Sequence, residues 1–144
     1  MIIQAIENEV NQILLLGNQF AEESEFVRFN SDVAIENVKK IIATNIGILF
    51  LAYDNSKLIG MICGIKYPDF LTGLLTATEL FWFVDKRKRG VGLKLLSKFE
   101  SWARKENCKN IIMMHLSDSM PEIVKTIYEK KGYKYLESHY IKEL

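Results

Sequence analysis

Three rhythms of apolar and polar positions run along this chain, and each predicts a different kind of element. Met1 to Ile6 reads as a short strand, and from Glu7 the residues Val10, Ile13, Leu14 and Phe20 recur at helical spacing with Gly17 on the same stripe. Glu22 to Asn30 is mixed and reads as a loop. Ser31 or Asp32 is placed to cap a second helix that buries Ile35, Val38, Ile41 and Ile42. Ile46 to Tyr53 is nearly all apolar, the pattern of a strand covered on both faces. Asp54-Asn55-Ser56 turns the chain into a second strand, Lys57 to Lys66, making a hairpin. Tyr67 to Gly73 is a loop, and Thr76 to Val84 a third consecutive strand. Helical spacing returns at Leu95, Leu96, Phe99, Trp102 and Ala103, followed by a strand from Asn110 to Leu116. Ser119-x-x-Glu122 reads as a capping box with Pro121 in the first turn. It opens a helix burying Ile123, Val124 and Ile127 that stops at Lys131-Gly132. Tyr133 to Glu137 and His139 to Lys142 close the chain as short strands. The order β-α-α-β-β-β-α-β-α-β-β predicts a mixed α/β fold, one domain over residues 1–144.

Composition narrows the class without naming it. With 49% hydrophobic and 26% charged residues, 144 residues can build an ordinary core without disulfides or metals. A net charge of +1 gives no general attraction to nucleic acid or membrane, so any electropositive site must be local. Lys86-Arg87-Lys88-Arg89 is the dense basic run. Cys63, Cys108, His115 and His139 lack the spacing of a ligand set, so no metal is implied and free thiols in a reducing cytosol are expected. The N-terminus has no basic region ahead of an apolar stretch, and the run from Ile46 to Tyr53 is too short to span a bilayer. A cytoplasmic protein is expected.

The basic run opens the stretch with the most chemistry. Arg87-Lys88-Arg89-Gly90-Val91-Gly92 lies between the apolar strand Leu80-Phe81-Trp82-Phe83-Val84 and the amphipathic segment beginning near Leu93. A strand, a basic glycine turn and a helix together can hold a phosphate, because glycines let amides turn inward and the helix adds the positive end of its dipole. A solvated surface loop is the plainer reading. An RNA-contacting patch fits less well, since the four charges are contiguous rather than interleaved with aromatics.

The element order and two segments resemble the GNAT superfamily of acyl-CoA-dependent N-acetyltransferases. Gly90-Val91-Gly92-Leu93-Lys94-Leu95-Leu96 looks like that family's pyrophosphate turn, and Ile127-Tyr128-Glu129-Lys130-Lys131-Gly132-Tyr133 like its late signature. The tail from Gly132 is similar to small bacterial and phage members. The resemblance implies a central, mostly antiparallel twisted sheet of about seven strands flanked by about four helices, with acetyl-CoA as cofactor. It also implies that the fourth strand splays from its neighbour, so that Trp82, Phe83 and Val84 can pair with pantetheine, while Arg87, Lys88, Arg89, Gly90, Val91 and Gly92 face the phosphates. Two departures stand out. The span from Val84 to Arg87 is about two residues short, which leaves Arg87 and Arg89 as alternatives for the motif arginine. Pro121 stands near the position where the family often carries an Asn.

The resemblance implies acetyl transfer to a primary amine, small-molecule or protein, by direct attack within a ternary complex. A lysine-like amine with a pKa of about 10.4 is almost wholly protonated at neutral pH, so a base is needed. Glu79, the acid inside the fourth strand, resembles the family's general base, and Phe81 and Phe83 on its face would raise its pKa. The alternative is a strand-edge glutamate paired with a lysine. Tyr128 can give a proton to the leaving thiolate, or be a core tyrosine with a satisfied hydroxyl. His115 reads as a core histidine. Glu22, Glu23 and Glu25 give the loop after the first helix an acidic rim that favours a cationic amine. A catalytically degenerate relative and a nucleic-acid-binding module are the rival functions, and a homodimer is left open.

Overall fold

The computed structural model describes residues 1–88 and 90–144, apart from the side chain of Glu7. Its contacts divide into two compact units, Met1–Met114 and His115–Leu144.

In the first unit, β1 (Ile2–Gln4) leads through a 3₁₀ turn (Glu7–Glu9) into α1 (Val10–Glu22) and α2 (Ser31–Ala43). Then come β2 (Gly47–Asp54), β3 (Lys57–Pro68), β4 (Leu75–Val84), α3 (Val91–Lys105) and β5 (Asn110–Ile112). The five strands form one sheet in the order β1-β2-β3-β4-β5, antiparallel except for the parallel β4–β5 pair. Asn55 and Ser56, both at positive φ, make the tight β2–β3 turn.

The period-two alternation of β2 is what divides the core. Leu49 and Leu51 join Val10, Ile13, Leu16, Val38 and Ile41 of α1 and α2 on one face of the sheet. Ile48 and Ala52 join Leu95, Phe99, Trp102 and Ala103 of α3 on the other. The expected stripe on α3 is thus buried residue for residue. On α2 only Val38 and Ile41 are fully buried, with Ile35 and Ile42 packed at the margin. The cap of α2 differs from expectation. Asn30 is the N-cap, its Oδ1 accepting from the N–H groups of Asp32 (3.1 Å) and Val33 (3.2 Å), because an amide side chain one residue earlier reaches both amides.

Strand β4 carries an irregularity that matters for the site. Phe81 pairs with Cys63 and Glu79 with Gly64, leaving Leu80 as an extra, exposed residue. This bulge reverses the facing of the residues beyond it: Ala77 lies in the α3 cluster, yet Phe83 packs with α1 and α2, and Trp82 and Val84 turn to α3.

The second unit departs most from the sequence pattern. α4 (Pro121–Lys130) begins at Met120, which has φ +49°, rather than at a capping box. A left-handed N-cap residue makes no side-chain cap, so the Ser119–Glu122 box is not formed. Only Tyr128 is buried on α4; Val124 and Ile127 are half-buried and Ile123 is exposed. The strands expected at Tyr133–Glu137 and His139–Lys142 are absent, so seven strands become five. Tyr135, Leu136, Tyr140 and Ile141 have strand-forming side chains, but all are exposed and their backbone has no ladder partner. β-Propensity alone does not make a strand. Among the described residues no helix is long and apolar enough to cross a membrane.

Candidate active site

Strands β4 and β5 pair only from Thr76↔Asn110 to Thr78↔Ile112. The strand predicted to reach Leu116 ends its ladder at Ile112, and beyond it the Met114 N–H is turned onto the Glu79 carboxylate, donating to Oε2 at 3.0 Å. From Leu80 to Val84, the edge of β4 facing away from β3 joins no further strand among the described residues. The exposed His115 follows this parting, off any strand, so the core-histidine reading does not hold.

Glu79 stands where the strands part. It is 4% exposed, and no cation pairs with it among the described residues. Burial disfavours its charged form and pushes its pKa up to about 7, against the opposing pull of the Met114 hydrogen bond. The lysine-paired alternative is therefore not what the structure contains. The neighbours that were to desolvate Glu79 are rearranged, since the bulge at Leu80 breaks its alternation with Phe81 and Phe83, but the carboxyl is buried all the same.

The basic turn is more neutral than its sequence suggests. Arg87 folds back on Asp85: its Nε donates to Oδ1 at 2.9 Å, its Nη2 to Oδ2 at 2.6 Å, and its backbone N–H to Oδ1 at 3.0 Å. This bidentate fork, with Lys57 nearby, holds the Asp85 carboxyl well below the usual carboxylate range. Lys86 meets Glu23 Oε2 at 3.2 Å, and Lys88 meets Asp54 Oδ2 at 2.6 Å. Arg89 lies outside the described residues. Gly90 caps α3 with φ +91°, a conformation that strains any residue with a Cβ, and having no side chain it leaves the first-turn amides of α3 uncapped by its own atoms. Gly92 sits against Trp82, where an added Cβ would lie 3.1 Å from Cζ2.

Tyr128 belongs to the second unit, and its signature is a helix stop. The Tyr133 N–H donates to the Tyr128 carbonyl (3.0 Å) and the Gly132 N–H to the Glu129 carbonyl (3.0 Å), with Gly132 at φ +85°. The rings of Tyr128 and Tyr133 lie 5.4 Å apart, the contact that accompanies such a Schellman ending.

A family model described as the acetyltransferase (GNAT) family matches residues 16–133. The chain belongs to the GNAT acetyltransferase family. No curated protein matches it in sequence. Among solved structures, it is 16% identical to a ribosomal-protein-alanine N-acetyltransferase from Brucella melitensis biovar Abortus 2308, with a TM-score of 0.78 and coverage of 100% of this chain and 98% of that one. AAC(6')-Iy in complex with the bisubstrate analogue CoA-S-monomethyl-acetylneamine is 16% identical, with a TM-score of 0.80 over 100% and 97% of the two chains. The aminoglycoside 6'-N-acetyltransferase AAC(6')-IG from Acinetobacter haemolyticus is 17% identical, with a TM-score of 0.77 over 100% and 99%. At such identities the likeness is one of fold: this GNAT acetyltransferase has the mixed α/β architecture of these enzymes.

Sequence reasoning missed the acidic partners of the turn. Glu23 and Asp54 are remote in sequence and carry no local signal. Asp85 does carry one, as the single acid between the apolar end of β4 and the basic run, in the leading position that aspartate favours in turns.

Proposed function

We propose that this GNAT protein transfers the acetyl group of acetyl-CoA to a primary amine by direct attack within a ternary complex. The buried Glu79, with its pKa near 7 at the parting of β4 and β5, carries this reading. The family match from 16 to 133 includes residues of both units, which supports treating residues 1–144 as one acetyltransferase domain. Acetyl-CoA fits the residues present in two respects. Beyond its short ladder with β5, the edge of β4 along Trp82, Phe83 and Val84 offers backbone groups to the pantetheine amides. The turn Arg87–Gly92 leads into uncapped amides at the N-terminus of a fifteen-residue helix, where phosphate binding is favoured. The CoA analogue bound by a protein of the same fold points the same way.

When bound, acetyl-CoA supplies a thioester carbonyl open to a neutral amine and a sulfur that leaves as thiolate. Glu79 takes the proton that the ammonium of the acceptor must lose, directly or through one water, and a pKa near neutrality suits that task. Tyr128 gives its phenolic proton to the departing sulfur, a role that rests on its signature. The acceptor is a cationic amine such as a lysine side chain, a polyamine or an aminoglycoside, and the acids at Glu22, Glu23 and Glu25 support that choice. The inactive-relative reading gains nothing from the site, because Glu79 is buried and meets no cation among the described residues. The nucleic-acid reading gains nothing from Arg87, whose guanidinium is engaged bidentately by Asp85.

A panel of amines assayed for CoA release tests the proposal, with kcat/KM followed against pH. An inflection near pH 7 is expected for the best acceptor. Tyr128→Phe should fold with an unchanged melting midpoint, bind acetyl-CoA, and lose about 10²- to 10⁴-fold in turnover. Full activity of that variant would remove Tyr128 from the chemistry.

A further inference from the structure

We propose that Asp85 is a positioning residue of the cofactor turn and that Arg87 is its clamp rather than a ligand of the phosphates. The inference rests on the reading of this turn as the phosphate site and specifies how it is held in shape.

Three neighbouring cations of one turn are engaged in three ion pairs, and the pairs are not equivalent. Lys86 and Lys88 keep 60% and 45% of their side chains exposed, and Asp54 is itself 41% exposed. Pairs of this kind exchange one anion for another at little cost. Asp85 is 3% exposed, and both of its oxygens are taken up by Arg87. Moving the guanidinium onto a phosphate would give up a bidentate charge-assisted fork and leave the Asp85 carboxylate facing the incoming anion. Of the three, Arg87 is therefore the cation least able to leave.

The backbone makes the clamp directional. The Asp85 N–H donates to the Ile59 carbonyl at 2.9 Å, tying the residue to β3. Its own carbonyl accepts the Lys88 N–H at 2.8 Å, closing the turn. The Asp85 carboxylate then accepts the Arg87 amide, so the path from the sheet as far as Lys88 is held by one side chain. Gly90, three residues beyond Arg87, sets the direction of the first amides of α3. Asp85 thereby transmits the rigidity of the sheet to the groups that face the phosphates, without touching the ligand.

Calorimetric measurement of CoA binding by the full chain decides the matter, using Asp85→Asn, Arg87→Ala, Arg87→Lys and the double substitution. Asp85→Asn and Arg87→Ala should each weaken CoA by about 10- to 100-fold, by analogy with the loss when a group that orients a metal ligand is removed. The double variant should bind no worse than the weaker single, because both act through one contact. Arg87→Lys keeps the charge but not the fork and should not restore binding. Pantetheine, which lacks the phosphates, should bind all variants as it binds the unsubstituted protein; equal losses for both ligands would make Asp85 a general structural residue and overturn the proposal. Tighter CoA binding by Asp85→Asn, with weaker binding by Arg87→Ala, would show a liberated arginine reaching the phosphates and would also overturn it. Should the variants fail to fold, the unsubstituted protein suffices. The Arg87 Nε–H should remain hydrogen-bonded and slow to exchange at saturating CoA, and its release would refute the clamp. Failure of the unsubstituted chain to bind CoA would instead refute the cofactor reading itself.

Discussion

Glu79 and Asp85 are buried carboxylates six positions apart, one within β4 and one just past its end, and the protein treats them in opposite ways. Among the described residues Glu79 receives one backbone N–H and no cation, so burial prevails and its pKa climbs to about 7. Asp85 receives three donors from Arg87, and its pKa falls far below the ordinary range. The same functional group becomes a proton carrier in one setting and a permanent anion in the other. Enclosure by the fold raises the one acid, and a bidentate arginine lowers the other.

Removing the proton carrier should have the largest consequence. Glu79→Gln keeps the shape and should lower kcat/KM by about 10²- to 10⁴-fold, with loss of the inflection near pH 7. Steady-state rates of CoA release across pH would show it, and an unchanged profile would place the base elsewhere.

The next effect is on stability, and its sign follows from the raised pKa. The fold prefers protonated Glu79, so the contribution of this group is complete below the unfolded value of 4.5 and is lost as pH rises through about 7. Relative to Glu79→Gln, the unsubstituted protein should lose up to about 3 kcal/mol across that window, taking 1.36 kcal/mol per pKa unit. Denaturant titrations at several pH values would measure it. A constant difference would mean that Glu79 is not desolvated.

Asp85 should behave in the mirror sense. Its depressed pKa gives a contribution present above the unfolded value of 3.8 and lost only as pH falls below it. Asp85→Asn should therefore lower the melting midpoint by an amount that does not vary with pH above 3.8. A difference that grows between neutral and alkaline pH would contradict the assignment. The smallest effects belong to Lys86→Met and Lys88→Met, whose exposed pairs should leave the midpoint within error and respond only to ionic strength. A large loss from either would mean that these pairs are structural too.

What could be read in the sequence was what repeats. The stripe Leu95, Leu96, Phe99, Trp102, Ala103 predicts its own burial, because a long amphipathic helix satisfies its backbone internally and needs only a face to bury. Glu79 was legible as the acid within an apolar strand. The tail was not, since Tyr133 to Lys142 has the residues of strands and no ladder to join. The clamp at Asp85 is hidden for a different reason: Asp85 and Arg87 meet through the turn after β4, and periodicity says nothing about turns. The helix stop at Gly132 was read correctly, whereas the cap at Ser119 lost to a left-handed Met120.

Leu80 makes β4 a strand with a reading frame. Because the bulge absorbs this extra residue, Trp82 still opposes Ile62 and lies against Gly92 on the α3 side, while Phe83 opposes Met61 and stacks on Phe20 of α1, ring centroids 4.8 Å apart. Many substitutions at this exposed position should be harmless. Deleting it would set Glu79 and Phe81 opposite the successive partners Gly64 and Cys63, so the bulge would close and the residues from Phe81 to Val84 would keep their faces. The bulge thus lets β4 carry one residue more than the strand it pairs with while acid and turn stay in step.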